Sequence, residues 1–268
     1  MHARHANAWA RAIAWVAVSL GMAGGGPVRP PPAMPWPQAG LPLARPAVLP
    51  DATTFTRLTG LPADSRPFAV TGGQVVHPLS QEPVSAVPGG LPVAVLPVAE
   101  LGEPTWVPVI QARPGWARVL LPSRPNHVTG WLPLSGADAS QFVVRSTPYL
   151  IRVDLGTEQL TVTENGHSMG SWTVAVGAAR TPTPVGRTFL LASIEPLRPT
   201  FSPVILPLGT HSNTLDSYAG GPGTVGLHGW PDPSVFGHPV SHGCVRVPAQ
   251  ALRVLSRIPL GTIVLITG

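Results

Sequence analysis

Proline and glycine restrict the fold of this chain more than any other feature of its sequence. The 268 residues include 35 prolines and 29 glycines. Proline lacks the backbone N–H that a helix interior needs, and glycine weakens helices because it loses so much backbone freedom on folding. The composition is still that of a folded protein, because 44% of the residues are hydrophobic and only 11% are charged. We therefore predict a mainly β protein built from short strands and turns.

The charges exclude one class of partner. The net charge is +5, and all 17 basic residues are arginine. They are spread thinly, without the basic run that follows a phosphate backbone, so we expect no nucleic-acid binding. A mild positive charge suits weak attraction to an anionic polymer of the cell envelope.

The first 26 residues have the pattern of an export signal. Arg4 and Arg11 precede an apolar run over residues 12–23, and small residues follow it near Ala23. The run is shorter than the ~20 apolar residues of an ordinary bilayer span. We predict a signal peptide over residues 1–26, with an uncleaved membrane anchor as the alternative. Both place the protein outside the cytoplasm, in the periplasm or cell wall or anchored at the outer face of the cytoplasmic membrane.

Two stretches of different character follow this segment. Residues 27–68 begin with a proline-dense run and are predicted to be a linker. Residues 69–140 contain short β-type runs separated by turn residues, and resemble the bacterial SH3-like modules that precede envelope enzymes. We predict a small β-barrel there. We expect Trp106, Trp116 and Trp131 to fill its core, and the alternative is that they line a ligand groove.

A second β-rich unit is predicted over residues 147–268. Its first runs, YLIRVDL and QLTVTEN, alternate apolar and polar residues around a turn, and its last run is the strand TIVLIT. One short helix is expected to start at Pro248 and to bury Leu252, Leu255 and Ile258.

Cys244 is the only cysteine of the chain. In an exported protein, an unpaired cysteine is either a small buried hydrophobe or a working nucleophile. If the segment SHGCVRV is an extended strand, His242, Cys244 and Arg246 share one face and the two valines share the other. Because the valines would face the core, we predict that Cys244 is a nucleophile.

A cysteine nucleophile needs a base or a nearby positive charge to ionise. Along a strand, the Cβ atoms of His242 and Cys244 would lie ~6.6 Å apart, which is unfavourable for a direct hydrogen bond. A residue of a neighbouring strand can come within ~5 Å, and His228 ends such a strand. We therefore predict His228 as the base and His242 as an orienting neighbour. Arg246 would favour the thiolate or hold a substrate carboxylate.

Gly243 is expected to act through its backbone. Without a Cβ atom it would let a substrate carbonyl approach, and the amides of Gly243 and Cys244 could point at a developing oxyanion. The alternative is that Gly243 only makes a turn.

A zinc site is the rival interpretation of the same residues. His228, His238, His242 and Cys244 lie within 17 residues and are all ligands that zinc accepts. Their spacing matches no closed zinc site, however, and the sequence contains no HExxH motif. We expect neither a metal nor a cofactor.

These residues resemble the signature of YkuD-type L,D-transpeptidases. In that family a histidine precedes an SHGC segment that is followed by a hydrophobic residue and arginine or asparagine. His228 and the segment 241–246 have this order and spacing. The runs TPTPVGRTFL at 181–190 and LDSYAGGPGTVGLHG at 215–229 resemble further elements of the family. The resemblance therefore covers the unit at 147–268.

The resemblance implies a β-sandwich enzyme that acts on peptidoglycan stem peptides. Cys244 would attack the carbonyl before the terminal D-alanine of a tetrapeptide stem, and His228 would take the thiol proton. D-Alanine would leave as a thioester forms, and the amine of a second stem would then give a 3→3 cross-link. Ser241, His242 and Gly243 would shape the pocket and the oxyanion hole. The donor would be bound or oriented by Arg246.

The resemblance leaves two alternatives open and contains one departure. Hydrolysis of the same thioester would make the protein an L,D-carboxypeptidase, and a degenerate site would only bind peptidoglycan. Inhibition by β-lactams, especially carbapenems, is also implied. The departure is Trp230, where relatives often have threonine, so that only the main-chain carbonyl of Gly229 is available to orient His228.

Overall fold

The computed structural model describes residues 48–134, 140–198, 200–218 and 220–268. The predicted export segment, residues 1–26, and the first part of the linker lie outside the described residues. The rest of the chain, Ala47–Gly268, forms one compact unit. No helix in the described part of the chain is long and apolar enough to cross a bilayer.

The N-terminal half is a β structure with one large sheet. Its strand order is β3-β2-β8-β7-β6-β1-β9, and β4 and β5 form a separate pair. Alternating apolar residues such as Val76, Val84 and Val119 fill its core. The strands are β1 Gln74–Pro78, β2 Glu82–Ser85, β3 Pro92–Leu96, β4 Ala99–Glu100, β5 Glu103–Pro104, β6 Val107–Arg113, β7 Trp116–Leu120, β8 Thr129–Pro133 and β9 Phe142–Ser146.

The predicted SH3-like barrel is not confirmed. The sheet has two ends, β3 and β9, so the described strands do not close into a barrel. Trp131 is buried as expected, but Trp106 and Trp116 are only half-buried. The guanidinium of Arg145 lies 5.0 Å from the ring centroid of Trp106, so this ring contacts a cation instead of filling the apolar core.

The second part of the predicted linker packs against this sheet. Residues 48–68 are mostly irregular, yet Ala52 and Leu58 are buried in the core of the sheet. Short backbone bridges join Arg57 to Arg124 and Ala63 to Val128.

The C-terminal half contains two larger sheets that share one core, and β13 and β17 form a separate two-stranded sheet. A five-stranded sheet has the order β12-β11-β10-β19-β14, and a three-stranded sheet has the order β15-β16-β18. Ile151 and Val153 of the first sheet and Leu206 and Leu227 of the second belong to the same buried cluster. The strands are β10 Tyr149–Asp154, β11 Gln159–Glu164, β12 His167–Thr173, β13 Val176–Gly177, β14 Gly186–Phe189, β15 Ile205–His211, β16 Thr224–Gly229, β17 Pro239–Ser241, β18 Val245–Val247 and β19 Ile263–Thr267.

The predicted helix is confirmed as α1, Ala249–Leu255, with Pro248 at its N-terminal cap. Leu252 and Leu255 are buried, as is Ile258 just beyond the helix. These residues close the core on one side of the three-stranded sheet.

The two halves are joined by a shared apolar surface and a buried ion pair. Phe189, Leu191 and Ile263 of the C-terminal half belong to the core cluster of the N-terminal sheet. Arg187 of β14 donates to both carboxylate oxygens of Asp64, at 2.5 and 2.8 Å. Because both side chains are buried, removal of either one would leave an unpaired charge in the interior.

A second polar cluster at this junction contains two titratable groups. Thr54 donates its backbone N–H to Glu100, and its hydroxyl lies 2.9 Å from His211 Nε2. His211 Nε2 also lies 2.8 Å from the Thr54 carbonyl, which can only accept, so Nε2 carries the proton. Burial raises the pKa of Glu100 to about 7 and lowers the pKa of His211 to about 4. His211 is therefore neutral at physiological pH, whereas Glu100 is protonated below about pH 7 and ionised above it.

We expect the Glu100→Gln variant to change the pH dependence of stability. The folded carboxyl has a pKa of about 7 against an ordinary value of 4.5, so wild-type stability falls as the pH rises through this interval. Glutamine does not ionise. The free energy of unfolding of the variant minus that of wild type should therefore be about 3 kcal/mol larger at pH 8 than at pH 4, which means that the variant gains relative stability at high pH. Urea unfolding at both pH values measures this, and an equal difference at the two would contradict it. His211 is present in both proteins, so its contribution to the pH dependence cancels in the difference.

Candidate active site

Parallel pairing of β16 with β18 brings the predicted base next to the cysteine segment. Leu227 lies opposite Val245, and His228 lies opposite Arg246. One residue before the first pair are Gly226 on β16 and Cys244, which directly precedes β18. The prediction that His228 is on a strand adjacent to the cysteine segment is confirmed, although the residue directly opposite it is Arg246.

The extended strand predicted for SHGCVRV is wrong in its middle. Strand β17 ends at Ser241, β18 begins at Val245, and the intervening residues form a bend. Gly243 has a φ of 114°, a region that residues with a Cβ atom rarely enter. The bend turns His242 outward, where it is exposed, while the two valines of β18 are buried as predicted.

Ser241 fixes the inside of this bend with two hydrogen bonds. Its hydroxyl donates to the Cys244 carbonyl at 2.5 Å and accepts from the Gly243 N–H at 3.0 Å. The Gly243 N–H is therefore already engaged and does not point freely at a substrate, in contrast to the expectation from sequence.

The TPTP run supplies the outside of the bend, a role that sequence reasoning missed. The Thr181 hydroxyl donates to the Ser241 carbonyl at 2.9 Å, and the Thr183 hydroxyl donates to the Gly243 carbonyl at 2.9 Å. Thr183 in turn accepts from the Gly177 N–H at 2.9 Å. The sequence signal for this role was the pair of threonines at i and i+2, each followed by proline. The sequence does not reveal which carbonyls the two threonines contact.

His228 is held as a neutral base. Its Nδ1 lies 2.8 Å from the Gly229 carbonyl, which can only accept a hydrogen bond. Nδ1 therefore carries the proton, and Nε2 keeps a free lone pair. Burial lowers the pKa of His228, and the positive charge of Arg246 lowers it further. The Gly229 N–H donates to the Ser202 hydroxyl at 2.8 Å, which fixes the carbonyl that orients the imidazole.

Cys244 is held as a thiol. Burial raises its pKa, while the backbone hydrogen bond from Gly226 and the charge of Arg246 act in the opposite direction without overcoming burial. Arg246 thus favours the thiolate as expected from sequence, but it does not make the thiolate the resting form. The site at rest contains a protonated sulfur and an unprotonated imidazole.

Trp230 forms a platform for Arg246. The guanidinium carbon lies 3.6 Å from the centroid of the Trp230 ring, a close cation–π contact. Phe201 packs against both Trp230 and the edge of His228, with ring centroids 5.5 and 4.8 Å apart. The departure from the family pattern at Trp230 therefore orients an arginine beside the base. Beyond Trp230 is a cavity of ≈ 290 Å³, lined in part by Leu252.

His242 contacts Tyr218, another residue that sequence reasoning did not single out. Their rings are stacked with centroids 5.1 Å apart, and the Tyr218 hydroxyl lies 3.3 Å from His242 Nδ1. His242 lies on the rim of the site. His238 is exposed on the segment before β17. In the described part of the chain, no group of three or more His, Cys, Asp or Glu residues is arranged to hold a metal ion.

Comparison with known proteins shows a similarity to one enzyme family. Residues 148–266 match the family model of YkuD, the L,D-transpeptidase catalytic domain. The match includes both the His228 and Cys244 segments and confirms the resemblance seen in the motifs. The SH3-like resemblance of residues 69–140 is not confirmed.

The relatives of this chain are distant. The Bacillus subtilis (strain 168) protein YkuD is 29% identical over 116 residues, which are 43% of this chain and 63% of that protein. Among solved structures, L,D-transpeptidase 3 from Mycobacterium tuberculosis, in complex with a faropenem-derived adduct, is 14% identical with a TM-score of 0.41. The match covers 60% of this chain and 93% of that one. The catalytic domain of the E. faecium L,D-transpeptidase is 23% identical with a TM-score of 0.34, covering 44% of this chain and 95% of that one.

The charge state of the site predicts its reactivity toward alkylating agents. Because burial raises the pKa of Cys244, alkylation by iodoacetamide should reach half-maximal rate at a higher pH than it does for an exposed cysteine in a peptide. Arg246→Met should move the midpoint higher still, since it removes a charge that favours the thiolate. Mass spectrometry of the reaction between pH 6 and 10 measures both. A midpoint below pH 7 would contradict the thiol form.

The clamp on the bend predicts a second effect. Thr183→Val keeps the side-chain shape but removes the hydrogen bond to the Gly243 carbonyl and the one from the Gly177 N–H, and should slow acylation of Cys244 by about 10-fold. Thr183→Ser retains the hydroxyl and is the matched control, expected to stay within about 3-fold of wild type. Stopped-flow measurements give the acylation rates of the three proteins. Equal rates for the valine variant and wild type would show that Thr183 has no role in the site.

Proposed function

We propose that this protein is an L,D-transpeptidase that acts on peptidoglycan stem peptides through a thioester at Cys244. The observation that carries the proposal is the pairing of β16 with β18, which brings a neutral, oriented imidazole to the strand beside the only thiol of the chain. The match of residues 148–266 to the L,D-transpeptidase catalytic domain supports the choice of substrate class.

The first half-reaction begins from the thiol form. The Cys244 sulfur attacks the carbonyl that precedes the terminal D-alanine, and its proton passes to Nε2 of His228 as the bond forms. Because the thiol is not ionised beforehand, attack and proton transfer occur together. The imidazolium then gives this proton to the leaving amine, so that D-alanine departs and a thioester remains.

The developing oxyanion is bound by a backbone amide. The Gly243 N–H is taken by Ser241, so the donor that we assign is the Cys244 N–H at the mouth of the bend. The hydrogen bonds from Thr181 and Thr183 fix this part of the chain before substrate arrives. Preorganised donors of this kind stabilise a transition state without a cost of reorganisation.

Arg246 is assigned to the donor peptide. Its Nε is buried and has no hydrogen-bond partner among the described residues, although its guanidinium is fixed on Trp230. A buried, unpaired donor next to the nucleophile suits a carboxylate of the stem peptide. His242 is assigned to the rim of the donor pocket, together with Tyr218.

In the second half-reaction the side-chain amine of a second stem attacks the thioester. His228 takes a proton from the amine and returns it to the departing sulfur, which restores the thiol and forms a 3→3 cross-link. Water in place of the amine would give L,D-carboxypeptidase activity from the same intermediate. The substrate and the pattern of residues 1–26 support an exported protein, free in the periplasm or cell wall or anchored by its N-terminus.

We expect Cys244 to carry the acyl group. With a disaccharide-tetrapeptide donor or a carbapenem, intact-protein mass spectrometry should show an adduct on wild type and none on Cys244→Ala. His228→Gln should form the adduct ~100-fold or more slowly, because the general base is lost. Amino-acid analysis of the same samples should detect released D-alanine.

The other outcomes separate the alternatives. An adduct on Cys244→Ala would show that Cys244 is not the nucleophile. Donor binding to wild type without an adduct or D-alanine would indicate a protein that only binds peptidoglycan. Release of D-alanine with tripeptide as the sole product, even with excess acceptor, would identify a carboxypeptidase.

A further inference from the structure

The loop between β15 and β16 carries Tyr218 to the rim of the active site. It begins after His211 and returns at Thr224, and both of those residues lie in the paired region of the two strands. Tyr218 is 49% exposed even though its ring stacks on His242. A half-exposed aromatic contact is weak by itself, so the position of Tyr218 depends on how the base of the loop is held.

Arg124 of the N-terminal half holds the base of this loop. Its Nη1 donates to the Ser212 carbonyl at 3.1 Å, and its Nη2 donates to the carbonyls of Leu215 and Pro222 at 3.0 and 2.8 Å. These three acceptors come from the outgoing and the returning arms of the loop. One guanidinium therefore closes the loop across its base, and hydrogen bonds from a charged donor are stronger than those between neutral groups.

The arginine is itself anchored in the N-terminal half. The Arg124 N–H donates to the Thr56 carbonyl at 2.9 Å, and the Arg124 carbonyl accepts from the Leu58 N–H at 2.7 Å. Two residues later, the Asn126 amide pairs with the backbone of His211, donating to its carbonyl at 2.7 Å and accepting from its N–H at 2.8 Å. The strand end that starts the loop is thus attached to the same segment.

The loop is built to receive the guanidinium. Gly223 has a φ of 72°, and a Cβ atom there would lie 2.4 Å from the Leu215 carbonyl oxygen and 3.0 Å from Arg124 Nη2. Only glycine allows the two arms and the arginine to approach so closely. The contact between Arg57 and Asp216, at 3.9 Å, is exposed and contributes little to this arrangement.

We propose that Arg124 is a positioning residue of the active site, and that the N-terminal half sets the place of Tyr218 and His242 at its rim. The catalytic part of this inference rests on the proposed function, whereas the ordering of the loop does not. The N-terminal half then acts as part of the framework of the site, in addition to any binding of its own.

The first test measures the loop without relying on catalysis. Hydrogen–deuterium exchange of the full chain should show faster exchange over residues 212–223 in Arg124→Lys and Arg124→Met than in wild type. The matched control is Arg118→Met. Arg118 is another arginine of the N-terminal half that donates to a side-chain oxygen and a carbonyl, those of Thr129 and Ala63, and does not contact the loop. Unchanged exchange in both Arg124 variants would overturn the proposal, whatever the activity of wild type.

The second test connects the loop to the reaction. Arg124→Lys should lower the second-order rate constant for acylation of Cys244 by ~10- to 100-fold, since small displacements of positioning groups have effects of this size. Arg118→Met should stay close to wild type. In a Tyr218→Ala background, the Arg124 substitution should cause little further loss, because it acts through the loop. If the losses from the Arg124 and Tyr218 substitutions were fully additive, Arg124 would not act through the loop.

A variant on the loop side keeps the test valid if the arginine variants do not fold. Gly223→Ala disturbs the same contact from the other partner and should produce the same faster exchange and slower acylation. Normal exchange and acylation in Gly223→Ala would contradict the proposal. If wild type itself is not acylated, the proposed function fails, and the exchange experiment still decides whether Arg124 orders the loop.

Discussion

The active site depends on one structural constraint, the parallel pairing of β16 with β18. Parallel strands cannot be joined by a tight turn, so the chain must leave β16, cross the surface and return before β18 begins. The segment that makes this crossing contains Trp230, which then supports Arg246. The register of the pair fixes His228 opposite Arg246 and brings the cysteine segment beside the base. A slip of one residue would place these side chains on the opposite face of the sheet.

Hydrogen bonds to the main chain determine the chemistry that this pairing allows. The Gly229 carbonyl selects the tautomer of His228 and leaves Nε2 free, while Ser241 and Thr183 fix the bend that presents Cys244. Burial keeps the sulfur protonated and the imidazole neutral. Because oxidation follows thiolate character, a thiol held in its protonated form is oxidised less readily than a permanent thiolate.

The N-terminal half is bound to this site by polar and apolar contacts together. The buried pair of Arg187 and Asp64 fixes the segment before β1 to the five-stranded sheet, and Phe189 extends the N-terminal core across the junction. On the side of the active site, Arg124 holds the base of the loop that carries Tyr218. The two halves therefore form one compact unit, in contrast to a catalytic domain joined to an independent module by a flexible segment.

The sequence by itself determined the β character of the described part of the chain, the short helix with buried Leu252, and the identity of the thiol and of a histidine on a neighbouring strand. These features follow from alternation and spacing over a few residues, which local physics controls. Only the tertiary structure decided the bend at Gly243, the open order of the N-terminal sheet and the attachment of Arg124 to the loop. The deciding contacts join residues far apart in the chain, such as Thr183 and Gly243, 60 positions apart, and Arg124 and Ser212, 88 positions apart. Such hydrogen bonds exist only after the sheets have packed, so no pattern within one segment can encode which donor meets which carbonyl.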